Sequence, residues 1–277
     1  MGDGAVPYRY HQFDGEWQEI DAEVIEEGFI TIFVNGHELA TLMCTPREPT
    51  QLALGFLANE GFIQNTAEVK IDHVCQAGDC VDIWLSHSIW DRPRRKIITS
   101  GCGGGLTFGD LAAEQEPVQS FRIVDPLVIG DLMAKLQTHD SLYARARGVH
   151  TSALSDGKEL LFIAEDIGRH NTLDRLRGEC MRQGVDPAGM ILLATGRISS
   201  EMINKAAKMG CGIVASRTSP TSLSVSLARH WSITLCGYVR RNRMNVYTHP
   251  ERLRIPNFDL QASPYYVVEM QSTSTSG

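Results

Sequence analysis

Cys102 stands in SGCGGG, residues 100–105, directly after a basic run that holds Arg92, Arg94, Arg95 and Lys96. Nearby cations lower a thiol's pKa and favour the thiolate, the nucleophilic form. Flanking glycines give the thiol room to reach a partner. Such a thiolate has the chemistry to attack a persulfide and pass the sulfur on. A tight turn in which cysteine merely fits as a small residue accounts for the same pattern, so the local residues leave both readings open. The other six of the seven cysteines have quieter settings. Cys44 closes the apolar run TLMC, Cys180 lies on a helix face, Cys211 follows a helix-ending glycine and Cys236 sits in a strand. Cys75 and Cys80 face each other across a hairpin turn, with His73 and His87 nearby in sequence. That spacing lacks the paired CxxC elements of a zinc site, so neighbouring thiols without metal are expected.

Arginines form the second constellation. Arg169 and His170 follow one apolar run (LLFIAED), Arg197 follows MILLAT, Arg217 follows GIVAS, and Arg240, Arg241 and Arg243 follow SITLCGYV. In open α/β sheets ligands bind beyond the carboxyl ends of the strands. Guanidinium groups and helix N-termini at those ends suit phosphate. Neither GxxxxGK[ST] nor GxGxxG after a strand is present, which disfavours NTP hydrolysis and a Rossmann dinucleotide site. A pyrophosphate ligand held by scattered loops remains. His150 and His170 are candidates for acid, base or ligand contact, with a satisfied structural histidine an equal alternative.

Elements must carry these groups to one place. Residues 18–43 alternate about Asn35-Gly36, a hairpin signal, and 46–60 read as a short helix closed by Gly61. VKIDHVC and CVDIWLSH form a second hairpin turning at Gly78-Asp79. The region from 160 onward alternates strand and helix, which predicts a mostly parallel α/β sheet. The expected division is a mainly β unit over 1–120 that ends in the Cys102 loop and a linker, an α/β cofactor-binding unit over 121–262, and a disordered tail over 263–277.

The net charge of −7 argues against a broad nucleic-acid surface, while the clustering of arginines points to a local anion site. No apolar run is long enough to span a bilayer and the N-terminal residues show no signal-peptide pattern. An odd set of seven cysteines without framework spacing fits reduced thiols, and so a cytoplasmic location.

Longer strings narrow the reading. NGHELATLMCTP, LALGFLANEGFI, GVHTSAL, EDIGRHNTLDRLRGE, GRISSEMINKAAKMG, SPTSLSVSLA and LCGYVRRNRMNVYTHPERL occur in this order. Together they resemble the FdhD-type formate dehydrogenase accessory sulfurtransferase family, from the first hairpin to Leu253. The resemblance implies a three-layer α/β/α domain similar to cytidine deaminases, preceded by the smaller β unit, and a homodimer. It implies a sulfurtransferase that accepts persulfide sulfur from a cysteine desulfurase. The sulfur then passes to the Mo-bis(molybdopterin guanine dinucleotide) cofactor, bound as substrate, for which GDP or GMP would be a mimic. The formate dehydrogenase catalytic subunit is the implied recipient. Cys102 matches the first cysteine of the family's CxxC loop, and Tyr238, Val239, Arg240, Arg241, Asn242 and Arg243 match its cofactor-contacting segment.

One position departs from the family: Gly105 replaces the second loop cysteine. A single thiolate still suffices to accept and donate sulfur. The departure keeps an alternative in play, a cofactor-binding chaperone that moves no sulfur. A nucleotide hydrolase lacks a base–nucleophile pair. A zinc deaminase would need H-x-E followed by P-C-x-x-C, and only His249-Pro250-Glu251 is present.

Overall fold

The computed structural model describes residues 3–89, 97–98, 106–107, 116–120, 122–138 and 141–254. The first element pair is a hairpin, β1 (Ala5–Phe13) and β2 (Trp17–Ile25), which the sequence reading did not anticipate in full. Strands β3 (Gly28–Val34) and β4 (His37–Cys44) turn at Asn35-Gly36 as expected, both residues taking positive φ. Along β3, Ile30, Ile32 and Val34 are buried and alternate with more exposed neighbours, the period of a half-buried strand. Helix α1 (Pro49–Asn59) follows, and then β5 (Val69–Val74) and β6 (Cys80–Leu85), giving a four-stranded sheet in the order β4-β3-β6-β5.

Two short strands, β7 (Ile97–Ile98) and β8 (Leu106–Thr107), pair with each other. The remaining elements are α2 (Pro126–Thr138), α3 (Leu142–Ala146), β9 (His150–Ser155), β10 (Leu160–Asp166), α4 (Arg169–Gln183) and β11 (Ile191–Ala194). They continue with α5 (Ser200–Lys208), β12 (Ile213–Ser216), α6 (Ser222–His230), β13 (Thr234–Arg240) and β14 (Arg243–Thr248). Six strands form one sheet in the order β10-β9-β11-β12-β13-β14.

The three-layer α/β/α arrangement holds. On one face Leu173 and Leu176 of α4, Met202 and Ile203 of α5 and Ala228 of α6 pack on Leu154, Leu192, Val214 and Leu235. On the other, Ile129, Leu132, Met133 and Leu136 of α2 pack on Ala153, Leu193, Ala215 and Cys236. The sheet itself is less parallel than the helix–strand rhythm suggests. β11, β12 and β13 are parallel, whereas β9, β10 and β14 join by antiparallel pairing. Hydrophobic periodicity reports which face of a strand is buried and carries no information on partner direction.

The two larger sheets are joined through helices. α1 contributes Leu52, Leu54, Phe56 and Leu57 to the core of the four-stranded sheet, and its other side meets α4. The crossing is closest at two glycines. A Cβ on Gly55 would stand 1.7 Å from the Asp174 carbonyl oxygen, and one on Gly178 would stand 1.9 Å from that of Gln51. Backbone therefore meets backbone, and no side chain fits between. Gly178→Ala should cost about 3 kcal/mol or more of unfolding free energy in urea denaturation, because neither helix backbone yields without moving its core. A loss below about 1 kcal/mol would mean that the crossing opens freely.

Candidate functional site

β10 runs opposite to β9 and β9 opposite to β11, so β10, β11, β12 and β13 all end on the same edge of the sheet. β9 and β14 begin there. Across that edge, in spatial order, come Arg169 and His170 after β10, His150 opening β9, Arg197 after β11, Arg217 after β12, Arg240 ending β13 and Arg243 opening β14. The strand exits singled out in the sequence thus share one rim. Arg197, Arg240, Arg241 and Arg243 are exposed, Arg217 is half-buried, and Arg169 and His170 are buried. Burial depresses the Arg217 guanidinium pKa, and the neighbouring Arg240 depresses it further, so these two cations lie close enough to repel. Like charges gathered this way favour a polyanionic ligand.

Asp166 anchors the end of β10. It is fully buried, and its Oδ1 accepts the Gly168 N–H and the Asn171 amide at 2.8 Å each. Its Oδ2 accepts the Arg175 Nε and Nη2 at 2.9 and 2.7 Å and the Thr45 N–H at 3.3 Å. Arg175, itself buried, donates onward to the carbonyls of Thr45 and Arg47, and Asn171 donates to that of Met43. The EDIGRHN string is therefore a rivet between the β10–α4 turn and the β4–α1 turn, and it sets where Arg169 and His170 emerge.

His150, Arg169 and Gly196 converge beside it. A Cβ on Gly196 would lie 2.9 Å from His150 Nδ1 and 3.3 Å from the Arg169 Cβ, so a side chain at 196 would crowd the His150 ring. Burial, then Arg169, lowers the His150 pKa. His170 Nε2 pairs with the Ser199 hydroxyl at 3.1 Å, and its Nδ1 lies 3.3 Å from Glu201 Oε2. Burial foremost, with Lys205, Arg169, His150 and Arg197 adding to it, pushes His170 down to about 2. The imidazole is neutral at physiological pH and donates or accepts without adding charge. Below it Lys205 Nζ contacts both Asp174 oxygens at 2.9 and 2.7 Å. Burial opposes that ammonium, but Asp174 and then Glu201 outweigh it and raise the Lys205 pKa. This buried Asp174–Lys205–Glu201 chain was not singled out in the sequence. Its one trace there is the Glu201–Lys205 spacing of four on a helix.

The basic segment is built on a bulge. Tyr238 takes φ 53°, its N–H donates to the Thr218 carbonyl, and pairing with β14 shifts register between Gly237 and Arg240. The bulge turns Tyr238 outward while Val239 stays buried. Arg240 donates to the carbonyls of Arg217 and Val239, so it ties the rim together. Arg241 and Asn242 form the exposed turn between Arg240 and Arg243. Gly130 of α2 supports that turn, since a Cβ there would lie 2.0 Å from the Arg241 carbonyl oxygen. The next residue, Asp131, accepts from Arg241 Nε at 3.1 Å.

Cys102, with the basic run before it and Gly105 after it, lies outside the described residues, as does the expected tail. Among the described cysteines Cys44, Cys180, Cys211 and Cys236 are buried, and burial pushes their thiols up to about 12, 11, 12 and 12. Thiols so held make poor nucleophiles. A separate cleft of about 300 Å³ is lined by Arg47, Glu48, Ser141, Leu142, Arg145 and Glu165, among others. Its charges are already engaged: Arg145 with Asp3 and Glu23, and Glu165 with the N–H groups of Leu142 and Tyr143. His249 Nδ1 pairs with Glu251 Oε1 at 2.8 Å and its Nε2 with the Arg229 carbonyl, which engages both residues of the H-x-E string.

The FdhD/NarQ family model matches residues 25–254, a span that holds the rivet, the rim and the bulged basic segment. The chain belongs to the FdhD/NarQ family. Among its curated relatives, the sulfur carrier protein FdhD of Bacillus subtilis (strain 168) is 37% identical over 253 residues, covering 89% of this chain and 95% of that protein. The sulfur carrier protein FdhD of Staphylococcus aureus (strain bovine RF122 / ET3-1) is 35% identical over 246 residues, covering 87% and 92%. A crystal structure from Desulfotalea psychrophila, described as that of a formate dehydrogenase accessory protein, superposes with a TM-score of 0.71. It is 25% identical and covers 90% of this chain and 99% of its own. No helix among the described residues is long and apolar enough to cross a membrane.

The neutral His170 makes a pH signature for this FdhD/NarQ fold. Its pKa is about 2 in the folded protein against the ordinary histidine value of about 6.5, so the unfolded chain binds the extra proton first as pH falls. The stability it permits is fully present above pH 6.5 and drains by about 1.4 kcal/mol per pH unit below it. His170→Asn should flatten the acid limb of a denaturation-versus-pH curve between pH 6.5 and 4.5; an unchanged slope would place the titration elsewhere.

Proposed function

We propose that this chain is a sulfur carrier for formate dehydrogenase, a sulfurtransferase that works through a Cys102 persulfide. The observation that carries the reading is the match, over 87–89% of the chain, to proteins named as sulfur carriers. The proposed donor is a cysteine desulfurase. The Cys102 thiolate attacks the outer sulfur of the donor's persulfide, forming a new S–S bond as the donor's S–S bond breaks and its thiolate leaves. The acceptor then supplies an electron pair to the outer sulfur, forming the acceptor–sulfur bond as the S–S bond breaks and Cys102 leaves as the thiolate. Two features favour this cysteine: the cations before it in sequence, and the high pKa of the four buried thiols.

The proposed acceptor is the Mo-bis(molybdopterin guanine dinucleotide) cofactor, destined for the formate dehydrogenase catalytic subunit. The rim formed by Arg169, Arg197, Arg217, Arg240, Arg241 and Arg243 supports this reading, because pyrophosphates suit guanidinium forks. Tyr238 and Asn242, exposed beside them, are offered as contacts to the guanine, and buried Val239 as the floor of the bulge. His170 would serve as a neutral hydrogen-bonding group. The protein would act in the cytoplasm, where thiols stay reduced, as the homodimer that the family resemblance implies.

Intact-protein mass after incubation with a cysteine desulfurase and cysteine tests the carrier step. The wild type should gain reducible sulfur and Cys102→Ser should not. Equal gain by both, or none by either, would move the cofactor-binding chaperone to the front, a reading that Gly105 in the family's second cysteine position already favours. For the rim, Arg241→Ala should weaken GDP binding by about tenfold in calorimetry while sulfur loading is unchanged. Equal affinity would remove the turn from the site.

A further inference from the structure

Cys75 and Cys80 close the β5–β6 hairpin within the six-residue segment CQAGDC. The sequence places His73 and His87 near them as candidate companions, and the structure brings neither to the thiols. His87 Nε2 is 2.7 Å from Glu68 Oε2, and His73 stands opposite Asp82 further along the ladder. Instead the turn returns Asp79 to the two thiols. The Cys75 thiol donates to Asp79 Oδ1 at 3.0 Å, and the Cys80 N–H donates to Cys75 Sγ at 3.1 Å. One ligand atom from each of Cys75, Asp79 and Cys80 lies within 4.8 Å of the other two. Both thiols are half-buried and Asp79 is exposed, so the cluster opens to solvent on one side.

We propose that Cys75, Asp79 and Cys80 form a binding site for a soft divalent cation, Zn(II) by preference, with the fourth position left to water. Two thiolates and a carboxylate select a borderline-soft ion over Mg(II) or Ca(II). Zinc–sulfur bonds of about 2.3 Å and zinc–oxygen bonds of about 2.0 Å set tetrahedral edges of about 3.8 Å for S···S and about 3.5 Å for S···O. The present 3.0 Å contact between Cys75 and Asp79 needs only about 0.5 Å of opening to match. The turn is held while that happens. Cys75 N–H donates to the Cys80 carbonyl, Gly78 N–H to the Cys75 carbonyl, and Thr31 N–H to the Asp79 carbonyl. Gly78 supplies the positive φ of 81° that the return of Asp79 requires. Binding exchanges the two thiol protons for the metal, the protons passing to solvent, and no electron moves. The bound ion would clamp β5, the outer strand of its sheet, to β6.

The test uses the full chain carrying Cys102→Ser, so that the carrier thiol cannot contribute, reduced and freed of metal. Co(II) is the first probe. One equivalent should give tetrahedral d–d bands and a thiolate-to-cobalt charge-transfer band, which Zn(II) displaces and Mg(II) does not. Adding Cys75→Ser and Cys80→Ser should abolish the spectrum, and Asp79→Asn, an exposed change that leaves the thiols in place, should weaken binding by about tenfold. Circular dichroism shows whether each variant is folded. If the double cysteine variant unfolds, the Asp79→Asn affinity decides alone. The proposal is overturned if the reduced chain binds no Co(II) or Zn(II). It is equally overturned if Asp79→Asn binds with unchanged affinity, or if a folded chain lacking both thiols retains the site.

Discussion

At the end of β10 the carboxylate of Asp166 receives five donors inside the protein, from Thr45, Gly168, Asn171 and twice from Arg175. A buried ion pair is costly to desolvate, and it is retained only where hydrogen bonds satisfy both partners. Here they do, since Arg175 spends its remaining donors on the β4–α1 turn. Removing either charge would leave the other stranded, at a cost of about 3–5 kcal/mol. The β4–α1 turn, the start of α4 and the strand exit after β10 are consequently one unit. Shifting the four-stranded sheet against the six-stranded sheet would strain both this unit and the Gly55–Gly178 helix crossing.

From that fixed point the cationic rim follows. α4 begins at Arg169, so the rivet sets the position of Arg169 and His170, and the Gly196 approach brings Arg197 and His150 against them. The other end of the rim hangs on a different support, α2, whose Gly130 lies under the Arg240–Arg241 carbonyls. A ligand spanning both ends would touch segments that rest on these two different supports. Charge is graded along the way. His170 is kept neutral by burial, the Lys205 ammonium is compensated by Asp174 and Glu201, and Arg197, Arg240, Arg241 and Arg243 lie exposed, with Arg241 beside Asp131.

The cysteines divide along similar lines. Burial raises four of them out of the reactive range. Burial and the adjoining Cys75 thiol raise Cys80 to about 11. Cys102 alone follows a basic run in a glycine-rich setting. A chain that carries sulfur on one thiol gains from keeping its other thiols from competing for that sulfur, and burial accomplishes this without any special sequence.

Much of this was legible in the residues themselves. The Asn35-Gly36 hairpin, the strand–helix rhythm from β10 to β13 and the isolation of Cys102 follow from local chemistry, since turn preference, hydrophobic period and neighbouring charge are written within a few positions. The strand exits bearing arginine were legible too. β9 escaped notice because HTSALS is short and half polar, with no apolar alternation to announce a strand. β1 and β2 are largely exposed and leave little hydrophobic signature. The joining of Asp166 to Thr45 across 121 positions and the antiparallel entry of β9 were decided by tertiary structure alone. Each depends on which backbone donors and which partner strands meet in space, and a local pattern of residue types does not specify that.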